Sequence, residues 1–249
     1  MSLGKQLFAE FIGTFALVFV ISGAVSASAL VAGVLGVAIA AGLVLAIMVS
    51  ALGPISGGHF NPAVTVGVWV AGRIESARAA AYVVVQLAGA VAGAAILRWA
   101  LPQALWERSN LGLPALNTQL GITTGKGVLI EAVLTFFLVI AVFGVAVDER
   151  GTFKAIAGLG IGLVLTFDAL VGGPLTGAAM NPAVFFGPAV VTATWTNFWV
   201  YVLGPVSGAV IASAVYWLAF LRTAPPVEGP PPDTMVMDPT AEGGEAAGE

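Results

Sequence analysis

The sequence predicts an all-α membrane protein with six transmembrane helices and two re-entrant half-helices, arranged as an inverted internal repeat. Three observations predict this class. The 249 residues are 59% hydrophobic and 9% charged, whereas soluble domains have roughly 25% charged residues. Six apolar runs are long enough to cross a bilayer, which takes about 20 helical residues. The tripeptide Asn-Pro-Ala occurs twice, 120 residues apart, each time within an apolar stretch.

The tripeptides belong to a longer repeat. The first copy reads ISGGHFNPAVTVG and the second LTGAAMNPAVFFG. Upstream, Glu10 and Glu131 each begin the pattern Glu-x-x-x-Thr-Phe-x-Leu-Val, at an offset of 121 residues. Downstream, Tyr82 returns as Tyr201 at an offset of 119. A register kept within one residue at three landmarks indicates a duplicated half.

Each predicted spanning helix corresponds to one apolar run. The runs lie near Leu7–Leu30, Gly33–Leu52, Ala79–Leu101, Val128–Val147, Phe153–Val171 and Phe198–Leu221. Only Lys5 gives a charge before the first run, and no clear cleavage site precedes a soluble domain. A first spanning helix therefore fits better than a removed signal peptide.

The segments after the two Asn residues predict half-helices. Pro suits the first helical position, because its missing N–H costs nothing there. Pro62–Val70 and Pro182–Val190 each hold nine residues, enough for half of a bilayer at about 1.5 Å per residue. Three spans per half invert the second copy, so the segments enter from opposite faces. Non-helical backbone at that depth must be buried or line a wet cavity, so two meeting loops imply a pore.

The domain organisation follows from these runs. Residues 1–222 form one membrane domain, with repeats at about 5–101 and 126–222 and an external connector at 102–125. Residues 223–249 are acidic, rich in Pro and Gly, and without Lys or Arg, so this tail is predicted to be disordered.

Basic residues in the loops predict the orientation. Six lie on one side of the predicted membrane: Lys5, Arg73, Arg78, Arg150, Lys154 and Arg222. Three lie on the other: Arg98, Arg108 and Lys126. The positive-inside rule places both termini in the cytoplasm, as a multi-pass protein of the plasma or inner membrane.

Composition excludes several function classes. Without Cys there are no disulfides or thiolate metal sites, and no basic patch suggests a nucleic-acid partner. The single His lies in a predicted loop without a nucleophile–base pair. We therefore expect no enzyme, no cofactor and no metal site.

Taken together, these motifs resemble one known family. The two boxes, the Ser56–His59 segment, Gly187-Pro188 after the second box and the twin Glu helices are similar to the aquaporin and glycerol-facilitator family of major intrinsic proteins. The resemblance covers about residues 5–222 and implies an aquaporin-like channel domain, usually a homotetramer with one pore per subunit. It implies passive conduction of water or small uncharged solutes. The pore residues it implies are Asn61, Pro62, Ala63, Asn181, Pro182 and Ala183.

The residues explain why such a pore would pass neutral molecules. Each half-helix directs the positive end of its dipole, worth roughly half a charge, at the pore centre. Two such ends disfavour cations, including protons. The amides of Asn61 and Asn181 donate hydrogen bonds to the passing molecule. A water oxygen bound to both donors cannot easily continue a proton wire.

Four further polar residues have two interpretations each. Glu10 and Glu131, near the middle of apolar helices, could form a proton relay. Their symmetric placement favours acceptors for backbone N–H groups of the re-entrant loops, the role that family members suggest. His59 either lines the cytoplasmic mouth, which we favour, or bonds within its loop. Asp168 either faces the external vestibule or pairs with a neighbour, and both interpretations stay open.

The chain departs from the family after the second box. Most members carry Arg there, and this chain has Val184. Counted from the boxes by the family's spacing, the other outer filter positions fall on Ala41, Ala169 and Ala178. The filter is therefore expected to be wide and apolar. Val184-Phe185 also replaces the usual Arg-Asp of glycerol facilitators, which weakens the match to that group.

We expect a passive channel in the lipid bilayer for water or small neutral solutes, such as ammonia, dissolved gas or small polyols. The alternative is a secondary transporter, because these also use inverted repeats with broken helices. A coupled transporter usually places an ionisable site at its midplane, and no acid lies beside either box.

Overall fold

The computed structural model describes residues 1–30, 33–148, 150 and 156–222. Every regular element in these ranges is helical, and none is a strand. The α-helices are α1 (Leu3–Ser26), α2 (Gly33–Ser56), α3 (Pro62–Val70), α4 (Ser76–Ala100), α5 (Gln103–Arg108), α6 (Thr124–Val142), α7 (Ala157–Thr176), α8 (Pro182–Thr192) and α9 (Val200–Tyr216). Helix α6 continues as a π-helix over Phe143–Val147, and α9 over Trp217–Leu221.

Six of these helices are long and apolar enough to cross a membrane, which confirms the predicted number of spans. The predicted C-terminal ends of three spans were wrong: α1 stops at Ser26, four residues before Leu30, whereas α2 runs four residues past Leu52 and α7 runs five past Val171. The ends of α2 and α7 were not visible in the sequence because the last turn of each contains a Pro. The Tyr82 hydroxyl donates to the terminal carbonyl of α2 (2.7 Å). Tyr201 does the same for α7 (2.8 Å), so both helix ends are stabilised from outside.

The second half-helix is longer than predicted. Helix α3 ends at Val70 as expected, but α8 reaches Thr192 instead of Val190. Arg98 donates to the carbonyl of Val191 at 2.6 Å and so satisfies one free acceptor of the two added residues.

The two halves pack in the same way. Gly89 of α4 lies against the backbone of Phe11 on α1, and its repeat equivalent, Gly208 of α9, lies against the backbone of Ala132 on α6. A side chain at either glycine would collide with a backbone carbonyl. Small residues therefore let these helix pairs approach closely, as membrane helices commonly do.

A charged cluster joins the ends of α6 and α9. Asp148 follows α6 and accepts hydrogen bonds from Arg150 (2.6 Å) and from the Tyr216 hydroxyl (3.0 Å). Arg150 also donates to Phe220 at the end of α9 (2.9 Å). The hydrogen bonds from Arg150 hold the pKa of the Asp148 carboxyl well below its usual range.

Some predictions lie beyond these ranges. The tail at 223–249, Lys154 and the start of the predicted fifth span at Phe153 fall outside the described residues. The boundaries of the two repeats and of the connector stay predictions. Within the connector, α5 is followed by short 3-10 turns at Asn110–Gly112 and Thr118–Leu120.

Candidate functional site

Asn61 and Asn181 cap the two half-helices. The Oδ1 atom of Asn61 accepts the backbone N–H of Ala63 at 2.8 Å, and that of Asn181 accepts the N–H of Ala183 at 2.9 Å. Pro62 and Pro182 occupy the first helical positions. In this capping geometry the oxygen of each side chain is hydrogen-bonded to its own helix, and the amide nitrogen points away from that helix.

The two amides tie the loops to each other. Asn61 Nδ2 donates to the carbonyl of Met180 at 2.9 Å. In return, Asn181 Nδ2 donates to the carbonyl of Phe60, also at 2.9 Å. A side-chain amide has two N–H donors, so each Asn keeps one for another acceptor.

Phe60 and Met180 hold the loops in a strained shape. Their φ angles are +48° and +50°, a left-handed conformation that costs a non-glycine residue of order 1–3 kcal/mol. The N–H of Phe60 donates to Glu10 (2.7 Å), and the N–H of Met180 donates to Glu131 (2.7 Å). Each residue is thus bound at its N–H by its own half and at its carbonyl by the other half.

The two buried acids accept several hydrogen bonds from these loops. Glu10 also accepts from the Ser56 hydroxyl (2.6 Å) and the N–H of His59 (3.0 Å). Glu131 also accepts from the Thr176 hydroxyl (2.6 Å) and the N–H of Ala179 (3.1 Å). The geometry is that of acceptors for loop donors.

Two residues at the first loop were missed from the sequence. Gln86 is fully buried and donates to Glu10 (2.8 Å) and to the Thr65 hydroxyl (3.0 Å). Thr65 Oγ1 lies 3.1 Å from Nδ1 of His59. A lone Gln inside an apolar run is unusual enough to have marked Gln86 as a candidate.

Three cavities follow one another along α2 and α7. The connector-side cavity (about 360 Å³) touches Val34 on α2, the central cavity (about 20 Å³) touches Leu45, and the opposite cavity (about 490 Å³) touches Ser50. On α7 the same order is Ala169, then Leu165, then Gly158. The cavities at the two ends are large, and the one in the middle is small.

The central cavity brings together Asn61 and Asn181, the two predicted pore residues that line it. Asn61, Asn181, His59 and Val184 all lie on its wall, and most of the remaining wall is apolar. A water molecule needs roughly 10–15 Å³ measured in the same way. The central cavity therefore has room for a water molecule.

The four predicted filter residues do not share one cavity wall. Val184 lies on the wall of the central cavity, and Ala169 on that of the connector-side cavity. Ala41 and Ala178 belong to neither wall among the described residues. Ala178 lies in the second loop with a φ angle of +49°, and Ala41 is buried in α2.

Asp168 has no contact that explains it. It is only 1% exposed, and neither carboxyl oxygen has a hydrogen-bond partner in the part of the chain that the structure describes. The suggested pairing with a neighbour is therefore not formed by a hydrogen bond there.

Comparison with known proteins decides the family. A family model described as Major intrinsic protein matches residues 1–216. The chain belongs to this family. The resemblance predicted from the paired boxes is thereby confirmed.

Similar members of the major intrinsic protein family come from plants and animals. A probable TIP-type aquaporin of Medicago truncatula is 40% identical over 228 residues, covering 88% of this chain and 88% of the relative. Aquaporin-5 of Rattus norvegicus is 43% identical over 218 residues, covering 86% and 80%. The X-ray structure of the aquaglyceroporin from Plasmodium falciparum matches with a TM-score of 0.76 at 23% identity, covering 86% of this chain and 96% of that one. This last match shows a shared fold.

Proposed function

We propose that this protein is a passive membrane channel for water and small uncharged solutes. Six apolar helices make it an integral, multi-pass membrane protein, and its similar relatives are named aquaporins. The family is in general not enzymatic, and no catalytic step enters the proposal. The transporter alternative is not favoured by these relatives.

One observation carries the proposal: the crossed pair of Asn amides at the narrow centre. Each amide uses one N–H to bind the opposite loop, which fixes the direction of its second N–H. A solute oxygen between two fixed donors accepts from both, and little accepting capacity is left for a neighbouring water. The arrangement supports the passage of water with interruption of a proton wire.

The half-helix dipoles act in the same direction. Helices α3 and α8 both begin at the central cavity with Asn61 and Asn181. Their positive ends, each worth roughly half a charge, oppose a cation there. The apolar remainder of the wall binds a neutral solute weakly, and weak binding permits rapid release.

The loop residues have a supporting role in this proposal. Glu10 and Glu131 brace the two loops as hydrogen-bond acceptors, and His59 lines the cytoplasmic mouth of the pore. The bonds from both loops to these acids support bracing over a proton relay, because each carboxyl is already occupied by loop donors.

The outer filter is proposed to be wide and apolar. Val184 on the central wall and Ala169 on the connector-side wall support its apolar character, since neither side chain offers a polar group. Ala41 and Ala178 complete the proposed ring by the family's spacing. Without an Arg, the filter would admit solutes larger or less polar than water.

Flux measurements on proteoliposomes test the channel. Stopped-flow light scattering under water, glycerol, urea and ammonia gradients should show fluxes that rise linearly with the gradient and depend weakly on temperature. Asn181→Leu should lower water flux per inserted protein strongly, because the central donor is removed. Saturable uptake coupled to an ion gradient would support the transporter instead.

The filter has its own test. Val184→Arg adds five N–H donors and a fixed charge, so it should slow glycerol far more than water and reduce any proton leak measured with an entrapped pH dye. Equal glycerol-to-water ratios in the variant and in the wild type would remove Val184 from the selective constriction.

Assembly and orientation are also proposals. The family resemblance supports a homotetramer, and the excess of basic residues on one side supports cytoplasmic termini. Light scattering of the detergent-purified protein gives the number of subunits. Protease access to tags at either terminus of right-side-out vesicles gives the orientation.

A further inference from the structure

Asp168 is the buried acid that the proposed channel does not yet use. A carboxyl without a hydrogen-bond partner loses the solvation it had in water and gains nothing in return. Natural proteins keep such a group chiefly where function needs it. Glu131 is another buried acid that interacts with α7. It accepts hydrogen bonds and, as a carboxylate, cannot donate one to Asp168.

Its place on α7 points toward the pore. Ile161 and Leu165, both on the wall of the central cavity, precede Asp168 by seven and three residues. Such spacing puts all of them on one side of a helix. Ala169, the next residue, lies on the wall of the connector-side cavity. Asp168 therefore stands at the level where the central cavity meets the wider one.

The face of α7 beside Asp168 packs against α6 and the second loop. A side chain at Gly172, one turn beyond Asp168, would first meet Leu134 of α6 and then the Cβ atom of Ala178, at 3.1 Å. Ala179, the residue after Ala178, lies on the central wall, whereas Asp168 itself is on neither described wall.

We propose that Asp168 is a specificity-determining hydrogen-bond acceptor at this outer constriction. It favours small neutral solutes that donate hydrogen bonds over solutes of equal size that donate fewer. The inference rests on the proposed channel function. Asp168 supplies the polar contact that the proposed filter residues lack, because their side chains are apolar.

Urea and acetamide test the preference, because they have almost the same size. Urea donates through both of its amide groups, whereas acetamide has a methyl group in place of one. The proteins are the wild type, Asp168→Val, Asp168→Asn and the control Ser22→Ala. Ser22 carries the other buried oxygen without a partner in the described ranges, and it lies on α1.

We expect the urea-to-acetamide permeability ratio to fall roughly two- to tenfold in Asp168→Val, the fold-change for one hydrogen bond. Asp168→Asn keeps one acceptor and should lie in between, and Ser22→Ala should match the wild type. The thermal midpoint of Asp168→Val should not fall, since a lone polar group gives way to an apolar one of similar shape. If Asp168 were a structural brace, the thermal midpoint of Asp168→Val would fall.

An unchanged ratio in Asp168→Val, or its failure to insert, would overturn the proposal. If the wild type passes water but neither amide, the comparison moves to water permeability, where the same fall is expected and an unchanged value is equally decisive. If the wild type conducts none of these, the channel function itself fails, whatever Asp168 does.

Discussion

The two re-entrant loops share one set of contacts but have different surroundings. At each loop a buried Glu accepts a hydrogen bond from a hydroxyl at the end of the preceding helix, and a Tyr hydroxyl donates to the last carbonyl of that helix. In each loop an Asn also donates to the other loop. Beside the first loop are Gln86, Thr65 and His59. In the second half, the position of Thr65 is taken by Phe185, which stacks on Tyr201 at 4.7 Å.

The difference shows which contacts the architecture needs. Both halves keep the bonds that hold a strained loop and present an Asn, because the two loops support each other. The flanking polar cluster occurs in one half only, so it is not required to form a re-entrant loop. Of this cluster, His59 lies on the wall of the central cavity, and the residues at Val184 and Ala169 give apolar walls.

The largest effect should come from removing the acids. Glu10→Ala leaves four donors without their acceptor, and Glu131→Ala leaves three. Each buried donor left unpaired costs about 1–3 kcal/mol, so both variants lose roughly 3 kcal/mol or more, with Glu10→Ala the less stable. Denaturant unfolding in detergent measures this. The Glu→Gln variants keep an acceptor and should lose much less; equal stability of the two Ala variants would show that Gln86 adds nothing.

Next comes the polar cluster itself. Thr65→Val preserves shape but deprives Gln86 of an acceptor and His59 of a hydrogen-bond partner, at a cost of about 1–3 kcal/mol. The matched control is Thr135→Val, whose buried hydroxyl donates to the Glu131 carbonyl of its own helix (2.7 Å). Thr135→Val should lower the free energy of unfolding by less than Thr65→Val does. If Thr65→Val lowers it by no more than the control, the polar cluster does not stabilise the protein.

A smaller and symmetric effect is expected at the tyrosines. Tyr82→Phe and Tyr201→Phe each remove one hydroxyl that binds the end of a spanning helix. Each should lose about 0.5–1.5 kcal/mol, the usual net worth of such a bond, and the two losses should be equal. Thermal unfolding of both variants checks this. A marked inequality would mean that the surroundings of the loops matter more than the shared contacts.

The smallest effect concerns the unequal half-helices. Arg98 donates to the end of α8 and stacks over Trp106 at 4.5 Å. Because it is exposed, Arg98→Ala should cost only about 0.5–1 kcal/mol. Arg108→Ala, another exposed cation near the connector, should leave the unfolding midpoint unchanged. If the two variants unfold at the same midpoint, the hydrogen bond from Arg98 does not explain the two extra residues of α8.

The sequence by itself determined the fold class, the six spans and the existence of both half-helices. Lipid offers no hydrogen bonds, so a spanning segment must be a continuous apolar helix, and such runs are visible by length alone. The Asn-Pro pairs inside apolar runs were informative as well, because Asn is a favoured N-cap and Pro62 and Pro182 suit the first position of a helix. The duplication also predicted that Glu10 and Glu131 occupy equivalent positions in the two halves.

Only the tertiary structure decided which atoms meet. The bonds of Asn61 to Met180 and of Asn181 to Phe60 join residues about 120 positions apart, and no local period encodes them. Their geometry exists because two loops enter from opposite faces and are held there by buried acids. The same packing leaves Asp168 buried without a partner and separates Val184 from Ala169 between two cavities. Burial and partner depend on how helices pack, which composition and periodicity do not contain.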